Sequence, residues 1–134
     1  MFDRELVNEI FNQILEATSR IERRSIDIHS AEDFLATEAG IDKLDGICMM
    51  LIALGESLKN LDKITHGKLL SSHPEIDWKG AKGIRDIISH HYFDLNAEVV
   101  FSVCMERLPD LVLAIKDMQR DNISALPQST GFNG

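Results

Sequence analysis

Residues 41–61 of the chain read IDKLDGICMMLIALGESLKNL, and their apolar positions recur every three or four residues. That spacing places the apolar side chains on one face of a helix, so the stretch predicts a long helix with a broad buried face. The apolar set comprises Ile41, Leu44, Ile47, Cys48, Leu51, Leu54, Leu58 and Leu61. Gly55 costs about 1 kcal/mol relative to alanine inside such a helix. A glycine is tolerated there where another helix must approach closely.

The segments before this helix are also helical in pattern. Apolar residues recur at threes and fours over residues 2–24, with no Gly or Pro to interrupt them, which predicts a long N-terminal helix. Ser30 followed by Asp33 resembles a capping box with a short acid in its second position. This box predicts a short helix through Phe34, and Gly40 is expected to end it.

Two further helices are predicted after residue 61. The segment 65–77, THGKLLSSHPEID, contains Gly, Pro and paired Ser and is typical of a connector. Asp77 can cap a helix over residues 78–92. Asn96 can cap a last helix, and Pro109 within it lacks a backbone donor, which predicts a kink or break just before the proline.

The whole pattern predicts an all-α protein. No strand alternation or internal repeat is present, and 134 residues suit one domain, so we expect a four- to five-helix up-and-down bundle over residues 1–120. Residues 121–134 lack periodicity and are expected to form a flexible tail. Cys48 and Cys104 have no CxxC spacing, and no stretch resembles a signal or membrane segment. We therefore expect a cytoplasmic protein with no disulfide, metal site or membrane association.

The charge is unevenly distributed along the chain. The net charge of −8 argues against general coating of nucleic acid, because phosphate binding depends on Lys and Arg. Residues 59–92, however, hold six bases against four acids and four of the five histidines. An anion-binding surface is therefore expected in this window, although ordinary solvated helix faces would give the same count. Lys59 and Lys63 likewise fit either an RNA-facing edge or solvent.

The run RDIISHHY, residues 85–92, carries the candidate chemistry. At about 100° per residue, Arg85 and Tyr92 share a helix face, whereas His90 lies roughly 140° from Arg85. Either the last turn unwinds at His90, or two such helices from two chains face each other, which we favour. Asp86 lies four residues before His90 and could orient its imidazole.

These residue types suit cleavage of RNA without a metal. A histidine can take the 2′-OH proton, and a guanidinium can hold the phosphate and its developing charge. The same residues also fit a purely structural role, because a histidine near a helix C-terminus interacts well with the dipole and an Arg often forms a surface ion pair. The spacing alone leaves both open.

The RDIISHHY run belongs to a larger pattern of four sequence blocks in a fixed order. They are LGESLKNL (54–61), HPEIDW (73–78), GIRDIISHHYFDL (83–95) and ERLPDL (106–111). Over about residues 5–118 the chain resembles the HepT-like branch of the HEPN superfamily, the toxin partners of minimal nucleotidyltransferases. The resemblance implies a HEPN-type bundle that forms a homodimer and needs no cofactor.

The resemblance also implies roles for the residues of the run. Arg85 and His90 of both protomers would line a shared metal-independent endoribonuclease site, with Asp86 in support. Tyr92 matches the tyrosine to which the nucleotidyltransferase antitoxin of a type VII-like module transfers AMP, and His90 rather than His91 stands two residues before it. Possible contacts to the tRNA or mRNA substrate are Lys68, Lys79, Lys82 and His91. The alternative is a non-catalytic HEPN adaptor that binds a nucleotidyltransferase or a nucleotide.

Overall fold

The computed structural model describes residues 3–126, apart from the side chain of Tyr92. Every regular element in this range is helical, which confirms the predicted all-α class. The α-helices are α1 (Arg4–Ser25), α2 (Glu32–Leu35), α3 (Glu38–Ile64), α4 (Lys68–Ser71), α5 (Trp78–His91), α6 (Ala97–Ser102) and α7 (Leu108–Ser124). A 3-10 turn (Tyr92–Asp94) follows α5, and a π turn (Val103–Arg107) joins α6 to α7.

Helix α3 lies at the centre of the bundle. It packs against α1 on one side and α5 on the other, and α7 covers α1. All the apolar residues predicted for its inner face are buried except Ile41, which is 42% exposed near the helix start. The predicted helical periodicity is therefore confirmed by the packing, because the apolar stripe of α3 faces both neighbours.

Short polar side chains fix where the helices begin. Asp77 Oδ1 accepts the backbone N–H of Gly80 at 3.0 Å, and the Asn96 side chain accepts that of Glu98 at 2.8 Å, so both predicted caps are confirmed. At the start of α3 the cap is Thr37, whose hydroxyl accepts the N–H of Gly40. These bonds satisfy donors that the first helical turn leaves without partners.

Gly40 does not end the short helix, and that prediction was wrong. It lies in the first turn of α3, where the main chain of α2 passes very close. A Cβ atom at this position would come within 2.2 Å of the carbonyl oxygen of Asp33. The glycine is thus required by the approach of α2 to α3.

The last helix is interrupted before Pro109, as the sequence predicts. Proline cannot donate to the carbonyl four residues earlier, and the chain forms the π turn at this point before α7 begins. Helix α7 then extends to Ser124, four residues into the segment predicted as a tail. Asn122 is buried there and donates to the backbone carbonyl of Arg4 at 2.8 Å. Residues 127–134 of that predicted tail lie outside the described residues.

Within residues 3–126, none of the helices combines enough length and apolar character to cross a bilayer.

Cys48 and Cys104 are both free and buried. Burial raises the pKa of Cys48 to about 11, with a smaller contribution from the Asp45 carboxylate, and raises that of Cys104 to about 12.

Candidate active site

The contact between α3 and α5 is built around Gly55. A Cβ atom at this position would lie 3.1 Å from the Cβ of Arg85 and 3.2 Å from the carbonyl oxygen of Lys82. Glycine therefore lets the backbones of the two helices come together, and the predicted close approach at Gly55 is confirmed. The next residue of α3, Glu56, is thereby brought beside the start of the RDIISHHY run.

Four alternating charges link the two helices at this point. Arg85 Nε lies 2.6 Å from Glu56 Oε1, and one terminal nitrogen of Arg85 lies 3.0 Å from Asp86 Oδ1. The other carboxylate oxygen of Asp86 is 3.5 Å from Lys59 Nζ. All four side chains are between 40% and 52% exposed, so they are accessible from solvent.

The pKa directions follow from these pairs. The hydrogen bond from Arg85, together with the charge of Lys59, holds the pKa of Asp86 below its ordinary value. The hydrogen bond to Asp86 and the charge of Glu56 raise the pKa of Arg85 further above its already high value. Arg85 therefore stays cationic and Asp86 stays anionic near neutral pH.

His90 is exposed on the last turn of α5 and makes a defined contact. Its Nδ1 lies 2.9 Å from the backbone carbonyl oxygen of Asp86. A carbonyl can only accept, so this hydrogen bond requires the tautomer that carries the proton on Nδ1, in which Nε2 of the neutral ring has an available lone pair. Asp86 thus contacts His90 through its main chain, whereas its carboxylate contacts Arg85 and Lys59.

Arg85 and His90 are directed to different places on the molecule. Among the described residues, no hydrogen bond or ion pair joins the two: the guanidinium is held at Glu56 of α3, and the imidazole lies against the carbonyl of α5 itself. Helix α5 continues without unwinding through His91. Tyr92 begins the 3-10 turn that follows, and its side chain lies outside the described part of the chain.

The four predicted RNA contacts differ in their surroundings. Lys82 Nζ lies 2.8 Å from Asp62 Oδ2, and both side chains are only about a quarter exposed, so this lysine is held in an ion pair between α5 and α3. Lys68, Lys79 and His91 are exposed.

Glu56 was not among the residues predicted for the site, and Lys59 was predicted only as part of either an RNA-facing edge or a solvent-facing surface. The signal that could have identified them is their spacing of three on α3, in the block that contains Gly55. Together with the neighbouring polar residues they border an open groove of about 420 Å³ between α1 and α3. The groove is lined by Gln13, Glu56, Ser57, Lys59, Asn60 and Lys63. Nowhere in residues 3–126 do three or more His, Cys, Asp or Glu side chains gather closely enough to hold a metal ion.

Comparison with known proteins adds a family. The family model described as "Ribonuclease HepT-like" matches residues 14–118. A protein of Methanocaldococcus jannaschii named "Putative RNase" is 30% identical over 71 residues, which cover 53% of this chain and 55% of that protein. Another "Putative RNase", from Caldanaerobacter subterraneus subsp. tengcongensis, is 29% identical over 65 residues, covering 48% of this chain and 54% of that protein. The matches thus span about half the length of these relatives, and no solved structure matches at a significant level.

Proposed function

This chain belongs to the HepT-like ribonuclease family, and we propose that it is a metal-independent endoribonuclease toxin whose site uses Arg85 and His90. The observation that carries the proposal is the contact between the His90 imidazole and the main chain of α5. Nδ1 of His90 lies 2.9 Å from a main-chain carbonyl oxygen on an exposed turn of α5, which leaves Nε2 of the neutral ring to act as a base. Arg85 supplies a fixed cation on the same helix.

The proposed chemistry is attack of a ribose 2′-oxygen on the neighbouring phosphate. Nε2 of His90 takes the 2′-OH proton, the 2′-oxygen bonds to phosphorus, and the bond from phosphorus to the 5′-oxygen breaks. The leaving oxygen takes a proton from water or an imidazolium, which gives a 2′,3′-cyclic phosphate and a 5′-OH. Arg85 stabilises the developing phosphate charge, since its pairs with Glu56 and Asp86 leave other guanidinium N–H donors available.

We propose that the complete site forms in a homodimer. One α5 helix directs Arg85 and His90 to different places, and a second copy related by a two-fold axis could supply the complementary group. Two exposed apolar side chains, one in the run and one in α6, support a second copy as the partner: Ile87 is 56% exposed and Val99 is 52% exposed. Apolar surface of this kind is typical of interaction sites.

The proposed antitoxin is a minimal nucleotidyltransferase that transfers AMP to Tyr92. This tyrosine starts the turn directly after α5, two residues beyond His90. An added AMP would place bulk and negative charge beside the site and so oppose the entry of RNA. Mass spectrometry after co-expression with the partner should find AMP-sized additions on Tyr92. An inactive complex with unmodified Tyr92 would point to inhibition by occlusion.

The ribonuclease proposal is tested with purified protein, tRNA and mRNA in the presence of EDTA. Wild type should cut RNA, and Arg85→Ala and His90→Ala should each abolish cutting while their circular dichroism spectra match wild type. Lys116→Ala, an exposed change on α7, is the matched control and should cut normally. Intact RNA under conditions where wild type binds it would contradict the proposal.

A second function, a non-catalytic adaptor, is favoured by another groove. This groove has a volume of about 520 Å³ and lies between α3, α5 and the α6–α7 segment. Its apolar lining includes Ile84, Ile87 and Val103. Its rim carries the acids Glu75, Asp77, Glu106 and Asp110 and the single base Arg107. Charge complementarity favours a basic amphipathic segment of a partner protein as its occupant.

The two functions differ in which changes matter. If the protein is an adaptor, reversing the rim charges with Glu106→Lys and Asp110→Lys should abolish its biological effect, while Arg85→Ala and His90→Ala retain it. Growth arrest that is lost with Arg85→Ala and His90→Ala, and kept in the rim variants, supports the ribonuclease instead.

A further inference from the structure

We propose that the polar groove along α3 binds the single-stranded RNA that adjoins the cleaved phosphate. This inference rests on the ribonuclease proposed above and extends its site from the reacting groups to the strand beside them. The groove has a volume of about 420 Å³ and lies between α1 and α3, beside the ion pairs of Arg85. Its volume lies in the range of pockets that hold small ligands, so it has room for a nucleotide.

The floor of the groove is one face of α3. Its residues Glu56, Lys59, Asn60 and Lys63 follow the spacing of three and four that aligns side chains along a helix. From Glu56 to Lys63 this face is about 10 Å long, at 1.5 Å of rise per residue. Glu56 contacts Arg85 at one end, so a strand whose phosphate is bound at Arg85 can continue along the face towards Lys63.

The charges of this face favour a phosphate backbone. The carboxylate of Glu56 is paired with Arg85, and Lys59 is shared with Asp86. Lys63 is exposed, and no ion pair among the described residues involves it. In a chain of net charge −8, the far end of the groove therefore presents a cation that is available to a phosphate.

The remaining lining residues favour single-stranded RNA. Gln13 and Asn60 are exposed and carry amides, which both donate to and accept from base edges. Ser57 Oγ lies 3.5 Å from Gln13 Oε1 and joins the two walls of the groove. Base edges are accessible in unpaired RNA, whereas the deep major groove of an RNA duplex hides them from side chains.

The binding experiment uses a short fluorescein-labelled RNA carrying 2′-O-methyl groups, which removes the attacking hydroxyl. Its affinity for the full-length protein is measured by anisotropy over a range of salt concentrations. The slope of log K against log salt is negative, and its magnitude should fall by about 0.7 in Lys63→Ala because one phosphate contact is lost. Lys116→Ala changes the net charge equally on α7 and should keep the wild-type slope.

Cleavage assays then separate this inference from the ribonuclease itself. Gln13→Ala and Asn60→Ala should change which positions of an RNA are cut while the salt slope of binding stays at the wild-type value. If wild type cuts RNA but Lys63→Ala binds like Lys116→Ala, the groove inference is overturned and the ribonuclease stands. If Lys63→Ala makes the slope shallower but wild type never cuts, the groove binds RNA, whereas the ribonuclease proposal and the cleaved phosphate beside the groove are overturned. A duplex of the same sequence that competes equally well would overturn the preference for single strands.

Discussion

The contact between the His90 imidazole and the Asp86 backbone carbonyl makes a direct prediction at the scale of single residues. Asp86→Asn removes the carboxylate but keeps the carbonyl, so His90 should retain the proton on Nδ1. Long-range proton–nitrogen NMR spectra of the imidazole distinguish the two tautomers. The neutral ring should show protonated Nδ1 in both proteins. A change to protonated Nε2 in the variant would mean that the carboxylate, and not the main chain, orients the ring.

Asp86 also predicts a dependence of folding stability on pH. Arg85 and Lys59 hold the pKa of Asp86 below its ordinary value. Its contribution to stability is therefore complete above the ordinary value and is lost as pH falls through the lowered one. Wild type should melt slightly higher than Asp86→Asn at neutral pH, and the difference should vanish in strong acid. The effect should be small because the pair is half exposed, and a difference that grew in acid would contradict the assignment.

The two cysteines should be chemically inert in the folded protein. Burial is the main cause that raises the pKa of Cys48 from 9.0 to about 11 and that of Cys104 to about 12. Because the thiolate is the reactive form, this shift alone lowers the reactive fraction of Cys48 about a hundredfold at pH 8. Iodoacetamide should label neither thiol in native protein and both after unfolding in guanidinium. Rapid labelling of the native protein would contradict the burial.

At the scale of elements, two glycines provide a matched test of the α3–α5 contact. A Cβ at Gly83 of α5 would meet nothing within 4 Å, so Gly83→Ala should stabilise the protein by about 0.5–1 kcal/mol through helix propensity. Gly55→Ala gains the same propensity but must push against the Arg85 Cβ and the carbonyl of Lys82. It should be less stable than Gly83→Ala by about 1–3 kcal/mol, measured by urea unfolding. Equal stability of the two variants would show that the helices can separate at no cost.

The long helices were predictable because burial imposes a period on the sequence. The stripe of α3, the caps Asp77 and Asn96 and the break before Pro109 all follow from local pattern, and each is confirmed. Gly40 was misassigned because its role depends on the approach of α2, which the local sequence does not encode. To predict contacts between helices, one must know how one helix is aligned along the other.

The ion pairs of the site show the same limit. Glu56 pairs with Arg85, and Lys59 with Asp86, because α5 packs closely against α3 at Gly55. The position of this close approach along the two helices decides which residues lie opposite each other. The sequence predicted the close approach at Gly55, but not which charges of α3 would face the run. The contact of His90 with a main-chain carbonyl was likewise beyond prediction, since side-chain spacing suggested the Asp86 carboxylate as its partner.

At the scale of the whole molecule, the separation of Arg85 and His90 bears on how many chains make one site. Arg85 is held at α3, whereas His90 lies against its own helix. Ile87 and Phe93, three residues before and after His90, have exposed side chains. A site that takes its arginine from one chain and its histidine from the other would need the dimer. A site that takes both from one chain would need a rearrangement of α5, which is helical through His91.

Mixed dimers distinguish these arrangements. Co-expression of Arg85→Ala and His90→Ala chains with different tags allows the heterodimer to be purified. If each site takes Arg85 from one chain and His90 from the other, the heterodimer keeps one complete site of two. It should then cut RNA at about half the wild-type rate, and an unseparated equal mixture at about a quarter, because half of its dimers are mixed. Both homodimers should be inactive. If the purified heterodimer is also inactive, although its size matches the wild-type dimer, the arrangement with one residue from each chain is overturned. The two residues then act from the same chain, or one shared site needs both copies of each.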